Sequence, residues 1–295
     1  MFLFGRRPEM GNARGAKALL KTILPEPVTS SLRYMQWLIN DLIADITGSR
    51  DPMIPPTRHM FDGTRTVEAF KSDGEEFVGF YTSLAGIKPD AKILDVGSGI
   101  GRNTLPLLKF LSDEGRYEGF DIIKMGVDWC NEKIASKRPN FHFQLADVYN
   151  KHYNPGGKYK SSEYRFPYED NTFDLVALSS VFTHMLPADV ENYLKEIARV
   201  TKKGGRSVIS WFVLNEESLG LVAAGESSQQ FTHRGDGYMT VDREVPEIAT
   251  SFDEAYLRGI YAKNGLKILE PIRPGSWCGR KKFLSYQDLI IAEKQ

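Results

Sequence analysis

The chain is poor in cysteine: Cys130 and Cys278 are the only two among 295 residues. They form no C-x-x-C pair and match no zinc spacing. That excludes a disulfide scaffold and a zinc module, and the two read as reduced thiols of a cytoplasmic protein. An excess of either charge is also missing. Lys+Arg and Asp+Glu each number 38, so no nucleic-acid partner is expected, although a local basic patch is compatible with that balance. No apolar run reaches the ~20 residues a membrane-spanning helix needs. The opening, MFLFGRRPEMGNARGAKALLKTILP, is basic, but Lys21 interrupts its apolar part and no small-residue cleavage pattern follows. It reads as a docked or frayed terminal helix rather than a secretory signal, with peripheral membrane contact through an amphipathic segment as the alternative. No segment carries histidines and carboxylates at metal-ligand spacing; His59, His142 and His152 do not pair, and no metal is expected.

What is present divides into two parts. Residues 31–47 place Leu32, Met35, Leu38, Ile39, Leu42, Ile43 and Ile46 on one helical face, with Gly48 as the stop. A Pro-rich linker follows, and a second helix is predicted over residues 66–85. Residues 1–63 therefore form a helical extension and linker, and 64–295 the main domain. From Lys92 the pattern alternates strand and helix, with strands predicted at 92–97, 116–121, 141–146, 173–180 and 205–213 and a helix at 187–203 closed by Lys202-Lys203-Gly204-Gly205. Such alternation implies a parallel sheet covered on both faces. Near the end, Ser251 to Glu254 reads as a capping box opening a helix, followed by strands at 266–272 and 284–293. So short a connection requires the last strand to run antiparallel. Residues 214–250 have weak periodicity and read as a loop-rich lid.

The stretch ILDVGSGIGRNT ends the first strand in Gly97, Gly99 and Gly101. A dinucleotide site expects G-x-G-x-x-G, and Arg102 stands where the third glycine would be. Asp95 lies where a pyrophosphate would have to sit, so a cationic, phosphate-free ligand suits the turn better than NAD. Asp121 ends the second strand roughly twenty residues on, where a carboxylate can accept both hydroxyls of a ribose. Asp147 ends the third and can accept from an adenine amino group, while the Val148 N–H can reach a ring nitrogen.

These motifs, ILDVGSGIG, GFDI, LADV, FPYEDNTFDLVALSSVFTHM and a helix ending in KKGG, resemble the class I S-adenosylmethionine-dependent methyltransferases. The resemblance implies an α/β Rossmann-like fold, with a seven-stranded, mostly parallel sheet whose last strand is antiparallel. It implies that Asp95, Gly97 and Gly99 hold the methionine part of S-adenosylmethionine, Asp121 the ribose, and Asp147 with Val148 the adenine. Gly101, Ile122 and Ser179 are expected to complete the cofactor site. The segments 153–174 and 275–294 are similar to bacterial methyltransferases associated with sugar or polysaccharide modification.

Methyl transfer to a hydroxyl needs positioning and a base. His184, in the loop after the fourth strand, is the first candidate for that base, and His233, in the lid, the second. Tyr238 and Glu247 are candidates for orienting an acceptor. Trp211, Phe212, Trp277 and Tyr286 read as core or pocket wall, and Arg280-Lys281-Lys282 as a solvated face. The expected reaction is methylation of a small hydroxylated molecule, a sugar or glycan intermediate first. The alternatives are N- or C-methylation of a lipid, quinone or other metabolite, and a cofactor-binding partner protein without catalysis.

Overall fold

Strand and helix alternate through the larger part of the chain as the hydrophobic pattern requires. The computed structural model describes residues 26–61, 63, 64 and 66–295, and the chain divides into two compact units, residues 1–61 and 62–295. The basic opening, residues 1–25, lies outside the described residues.

In the first unit, α1 (Glu26–Thr47) ends at Gly48, whose φ of +63° stops the helix in the left-handed region. Asp41 on this helix is buried and gathers the following segment. Its carboxylate accepts from the Thr57 amide at 2.8 Å and from the guanidinium groups of Arg58 at 3.0 Å and Arg50 at 3.3 Å. Arg50 also pairs with Asp45.

The second unit opens with α2 (Val67–Ser83), capped by the Thr66 hydroxyl, which accepts from the Ala69 amide. Next come β1 (Lys92–Val96), α3 (Thr104–Phe110), β2 (Arg116–Asp121), α4 (Lys124–Cys130) and β3 (Phe141–Leu145). A short parallel pair, β4 (Val148–Tyr149) and β5 (Tyr159–Lys160), precedes β6 (Phe173–Leu178), α5 (Pro187–Val200) and β7 (Thr201–Trp211). The lid region holds β8 (Val213–Leu214), α6 (Glu216–Ala223), β9 (His233–Arg234), β10 (Tyr238–Thr240) and β11 (Thr250–Asp253), and the chain closes with α7 (Glu254–Lys263), β12 (Leu266–Ile268) and β13 (Asp288–Lys294).

The main sheet has seven strands in the order β12-β13-β7-β6-β1-β2-β3. Only β13 is antiparallel to its neighbours, inserted between β12 and β7. Its faces are both apolar because both are covered. Ile93, Tyr117, Leu175 and Val208 pack with Phe77, Tyr81, Leu107 and Val127 on one side. Leu94, Phe120, Val176 and Ile209 pack with Val190, Leu194, Ile197, Leu257 and Tyr261 on the other. The strands thus end together, and the loops beyond β1, β2, β3 and β6 converge where ligands of open α/β sheets bind.

Three local expectations are corrected. The Lys202–Gly205 stretch does not close the helix: α5 stops at Val200, and residues 201–205 already belong to β7, where the pairing register with β6 shifts between Phe173 and Leu175. The lid is not loop-rich, for β8, β11, β10 and β9 form a four-stranded sheet of their own. The capping box at Ser251 is absent: Ser251 Oγ donates to the Met239 carbonyl, and the residue preceding α7 is Asp253, whose side chain binds Arg234 instead.

Candidate active site

The glycine turn follows directly from the end of β1. Gly97 has φ +81°, and a Cβ there would lie 2.3 Å from Val181 Cγ2, so the turn must be bare to let the loop after β6 approach. Gly99 has φ +58° and a Cβ on it would meet nothing within 4 Å. The open space beside Gly99 is where a ligand can rest against backbone.

Three carboxylates, Asp95, Asp121 and Asp147, lie at or just beyond the ends of β1, β2 and β3, and Asp121 is bonded to the Gly99 amide. Asp95 is 2 % exposed, and its Oδ2 accepts from Tyr117 Oη at 2.8 Å, which in turn accepts from Thr104 Oγ1 at 2.9 Å. Asp95 Oδ1 is buried without a partner, and so is Ser98 Oγ in the turn. Burial pushes the Asp95 carboxyl up to about 6; the Tyr117 hydrogen bond opposes this, the nearby Asp121 charge adds to it, and Arg102 opposes it. Asp121, at the end of β2, accepts from the amides of Gly99 and Ile123, each at 2.8 Å. Burial raises its carboxyl and these amides oppose the rise. One lone pair on each oxygen stays available for a hydroxyl donor. Asp147 is exposed, and its side chain receives only a 3.3 Å contact from the Lys158 amide.

Val148 does not present its amide to this space. Its N–H donates to the Ala146 carbonyl at 2.8 Å, closing a tight local turn, so the Val148 contact expected from the sequence is engaged within the chain. Ser179, at the end of β6, accepts from Arg102 Nη2 at 3.1 Å and ties the glycine turn to the next strand end. Ile122 packs against the hydrophobic core beside Phe120. Gly101 packs against α4: a Cβ there would come 3.1 Å from Cys130 Sγ.

Beyond β6, Ser180 adopts φ +60°, a conformation that costs a non-glycine residue energy. It is held there by Ser210 Oγ, which accepts from its amide at 2.8 Å, and by Gln287, which accepts from its hydroxyl at 3.0 Å. The turn launches a single helical turn, Phe182–His184. His184 Nδ1 lies 3.0 Å from the Glu247 carbonyl. A carbonyl only accepts, so Nδ1 carries the proton and Nε2 keeps its lone pair. Tyr153 Oη stands 3.5 Å from that Nε2, with the two rings edge to face at 5.1 Å. Burial holds the His184 imidazole below its ordinary pKa, the Glu247 carbonyl opposes this, and His152 reinforces it. Asn150 ties both partners together: its amide donates to the His184 carbonyl at 2.9 Å, and its Oδ1 accepts from the amides of His152 and Tyr153. Glu247 is buried, with Oε2 unpartnered, as is Thr183 Oγ1.

Tyr153 and Asn150 were not singled out in the sequence; the run NKHYN, a dense polar and aromatic group just beyond the third strand, was the available signal. His233 sits in β9, paired with Thr240 of β10, and its charge is felt by Asp242. No hydrogen bond or ring contact joins it to His184 or Tyr153. Tyr238 likewise belongs to the small sheet, packed against Phe252. Trp211, Phe212 and Trp277 are core; Tyr286 is half exposed and hydrogen-bonded to Ser228 and Gln229. Arg280 is not solvated. It is buried against Asp288 at 2.7 Å, and Asp288 also accepts from Trp277 Nε1 and the amides of Val213 and Gly275.

A family model described as a methyltransferase domain matches residues 94–209, from within β1 to within β7. Together with the sheet order, this identifies residues 94–209 as a class I S-adenosylmethionine-dependent methyltransferase domain. The ubiquinone/menaquinone biosynthesis C-methyltransferase of Teredinibacter turnerae is 27% identical over 141 residues, covering 48% of this chain and 50% of that protein. The chain thus spans about half the length of this curated relative. Two solved structures share the fold. The PH0226 protein of Pyrococcus horikoshii has a TM-score of 0.54 at 15% identity, over 82% of this chain and 97% of that one. Magnesium protoporphyrin IX methyltransferase of Synechocystis, solved with S-adenosylhomocysteine bound, has a TM-score of 0.50 at 16% identity, over 81% and 92%.

Proposed function

We propose that this methyltransferase moves the methyl group of S-adenosylmethionine to a small acceptor with an acidic hydroxyl, a quinol-type ring ahead of a sugar. The observation that carries the cofactor reading is the pair of buried, unpartnered oxygens, Asp95 Oδ1 in β1 and Ser98 Oγ in the glycine turn that follows it. Orphaned buried acceptors are rare and call for a donor. A cationic amino-acid end supplies one, Asp121 retains acceptor capacity for ribose hydroxyls, and the exposed Asp147 side chain is free to take the adenine amino group. When bound, S-adenosylmethionine supplies a methyl carbon activated by positive sulfur.

The remaining work is to position the acceptor and remove its proton. Tyr153 is close enough to Asp121 for that carboxylate to raise its phenol, after burial, the larger cause. Its hydroxyl faces His184 Nε2 at 3.5 Å. As the acceptor oxygen gives its proton to Tyr153 Oη, the Tyr153 proton passes to His184 Nε2, and Nδ1 keeps its bond to the Glu247 carbonyl. Asn150 fixes the separation of the two rings.

Base strength then orders the acceptors. An imidazole held below its usual pKa is a weaker base than free histidine, and it matches a phenolic hydroxyl, near pKa ~10, better than a far less acidic sugar alcohol. This reverses the preference drawn from the sequence. The name of the Teredinibacter relative, a quinone C-methyltransferase, supports the same order.

Methyl-labelled S-adenosylmethionine, supplied with reduced demethylated quinones and, separately, with nucleotide sugars, tests the proposal. Label entering the quinol is the expected result. Label entering only the sugar overturns the acceptor assignment, and absence of S-adenosylhomocysteine binding by calorimetry overturns the cofactor assignment.

A further inference from the structure

Helix α1 buries its less apolar side. On that side Asp41 is 3 % exposed and enclosed by Arg50, Arg58 and the amides of Thr57 and Arg58, while Trp37 and Ala44 are half-buried. Met35, Leu38, Ile39, Leu42, Ile43 and Ile46, at helical spacing on the other side, are 57, 38, 54, 59, 54 and 77 % exposed. A helix of a globular unit ordinarily turns such a stripe inward. Here the ion pairs of Asp41 hold the other face, so the stripe cannot turn inward without breaking a buried carboxylate's whole set of partners. A contiguous exposed stripe of this kind marks an interaction surface.

The chain that leads into α1 indicates what covers it. Residues 1–25 carry Arg6, Arg7, Arg14, Lys17 and Lys21 against the single carboxylate Glu9, interleaved with Phe2, Leu3, Phe4, Leu19, Leu20, Ile23 and Leu24. A second copy of the chain would bring a second set of the same cations to the interface. An anionic bilayer instead offers hydrocarbon to the stripe and negative charge to the basic segment. No helix among the described residues is long and apolar enough to cross a membrane, so the fitting mode is one in which the helix lies in the interfacial plane. We infer that α1 and the basic segment before it dock the protein on anionic lipid surfaces, with the α1 stripe set among the acyl chains. Docking is independent of the acceptor proposed above, and its failure would leave that reading untouched.

Co-sedimentation of the full chain with vesicles of phosphatidylcholine alone, and of phosphatidylcholine with phosphatidylglycerol, tests the inference. Partitioning onto the anionic vesicles should exceed that onto the neutral ones by at least about tenfold and should fall as salt is raised. The paired substitution Ile39→Glu and Ile43→Glu should abolish it, with the thermal transition and S-adenosylhomocysteine affinity of the domain unchanged. Replacing the five cations with Gln, which leaves α1 intact, should remove the preference for anionic lipid. Equal partitioning of wild type and the paired variant overturns the inference. So does self-association in the absence of vesicles that the paired variant abolishes, if no lipid binding accompanies it; the stripe would then be an interface between copies. A monomer that binds neither vesicle overturns it as well.

Discussion

The amide of Gly99 donates to Asp121 Oδ2 at 2.8 Å, so the tip of the glycine turn and the end of β2 form one hydrogen-bonded unit. Asp121 therefore shapes the turn, and under the proposed function it also offers acceptors to a ribose. Asp121→Ala should weaken S-adenosylhomocysteine binding by roughly 1.5–3 kcal/mol, the range for hydrogen bonds to a charged group. Calorimetry measures this directly, and an unchanged dissociation constant in a folded variant would place the ribose elsewhere.

Asp95 is expected to make cofactor binding sensitive to acid. Its folded pKa of about 6 lies above its ordinary value of 3.8. Between those values the folded protein holds more protons than the unfolded chain, so this group's contribution to stability declines as pH rises through the window. A cationic ligand facing the carboxylate reverses the preference, because it binds the ionised form. Affinity for S-adenosylhomocysteine should fall roughly tenfold between pH 7 and pH 5, and Asp95→Asn should bind weakly with a flat profile. A wild-type profile as flat as that of the variant would separate Asp95 from the ligand.

His184→Ala should lower kcat by at least about a hundredfold while leaving cofactor affinity nearly unchanged. Because burial lowers the His184 pKa, the neutral, active form persists below the ordinary histidine value. The acid limb of kcat/KM should accordingly fall below pH ~6.5 and vanish in the variant. Tyr153→Phe breaks the relay to His184 and should lose rate and that limb together. Should His184→Ala instead weaken cofactor binding and retain the limb, the imidazole would be a wall of the cofactor pocket.

Gly157 sits against the strand-end turn that carries Asp147. A Cβ there would lie 2.4 Å from Val148 C and 2.4 Å from the Tyr149 amide nitrogen. Backbone cannot yield as a side-chain tip can, so Gly157→Ala should destabilise the protein by about 1–3 kcal/mol in urea unfolding. A stability equal to wild type would show that β4 and β5 separate freely.

Removing Arg280 leaves Asp288 buried and without its cation. Arg280→Ala should cost about 3–5 kcal/mol, the range for breaking a buried pair from one side. A shift within about 0.5 kcal/mol, typical of surface positions, would mean that Trp277 and the two amides suffice to hold Asp288.

The parallel strands and the acidic residues at their ends were legible in the sequence because each is a local signal. A largely buried strand of five or six residues, a glycine turn and an acidic residue at a strand end all fall within one short window. The four-stranded lid sheet was not, since its strands of two to four residues are too short to show alternation. Tyr153 and His184 meet across 31 residues and no local pattern announces the pair. Arg280 was misread because three consecutive cations look solvated. Its partner Asp288 stood in plain view, an isolated carboxylate opening the apolar run of β13.

The insertion of β13 between β12 and β7 has a temporal consequence. Residues 288–294 follow every other strand of the sheet in the chain, yet they pair with Trp211 to Arg206 on one side and Lys267 and its neighbours on the other. Until they emerge from the ribosome, β7 presents a bare edge lined by Val208 and Ile209, and β12 has no neighbour to join. The nascent sheet can assemble only as far as its first five strands. The completing step closes contacts more than seventy residues apart, between Asp288 and Trp211 at one end of the ladder. Loop closure over that span slows folding, so this edge is where a stalled or truncated chain is most exposed to aggregation.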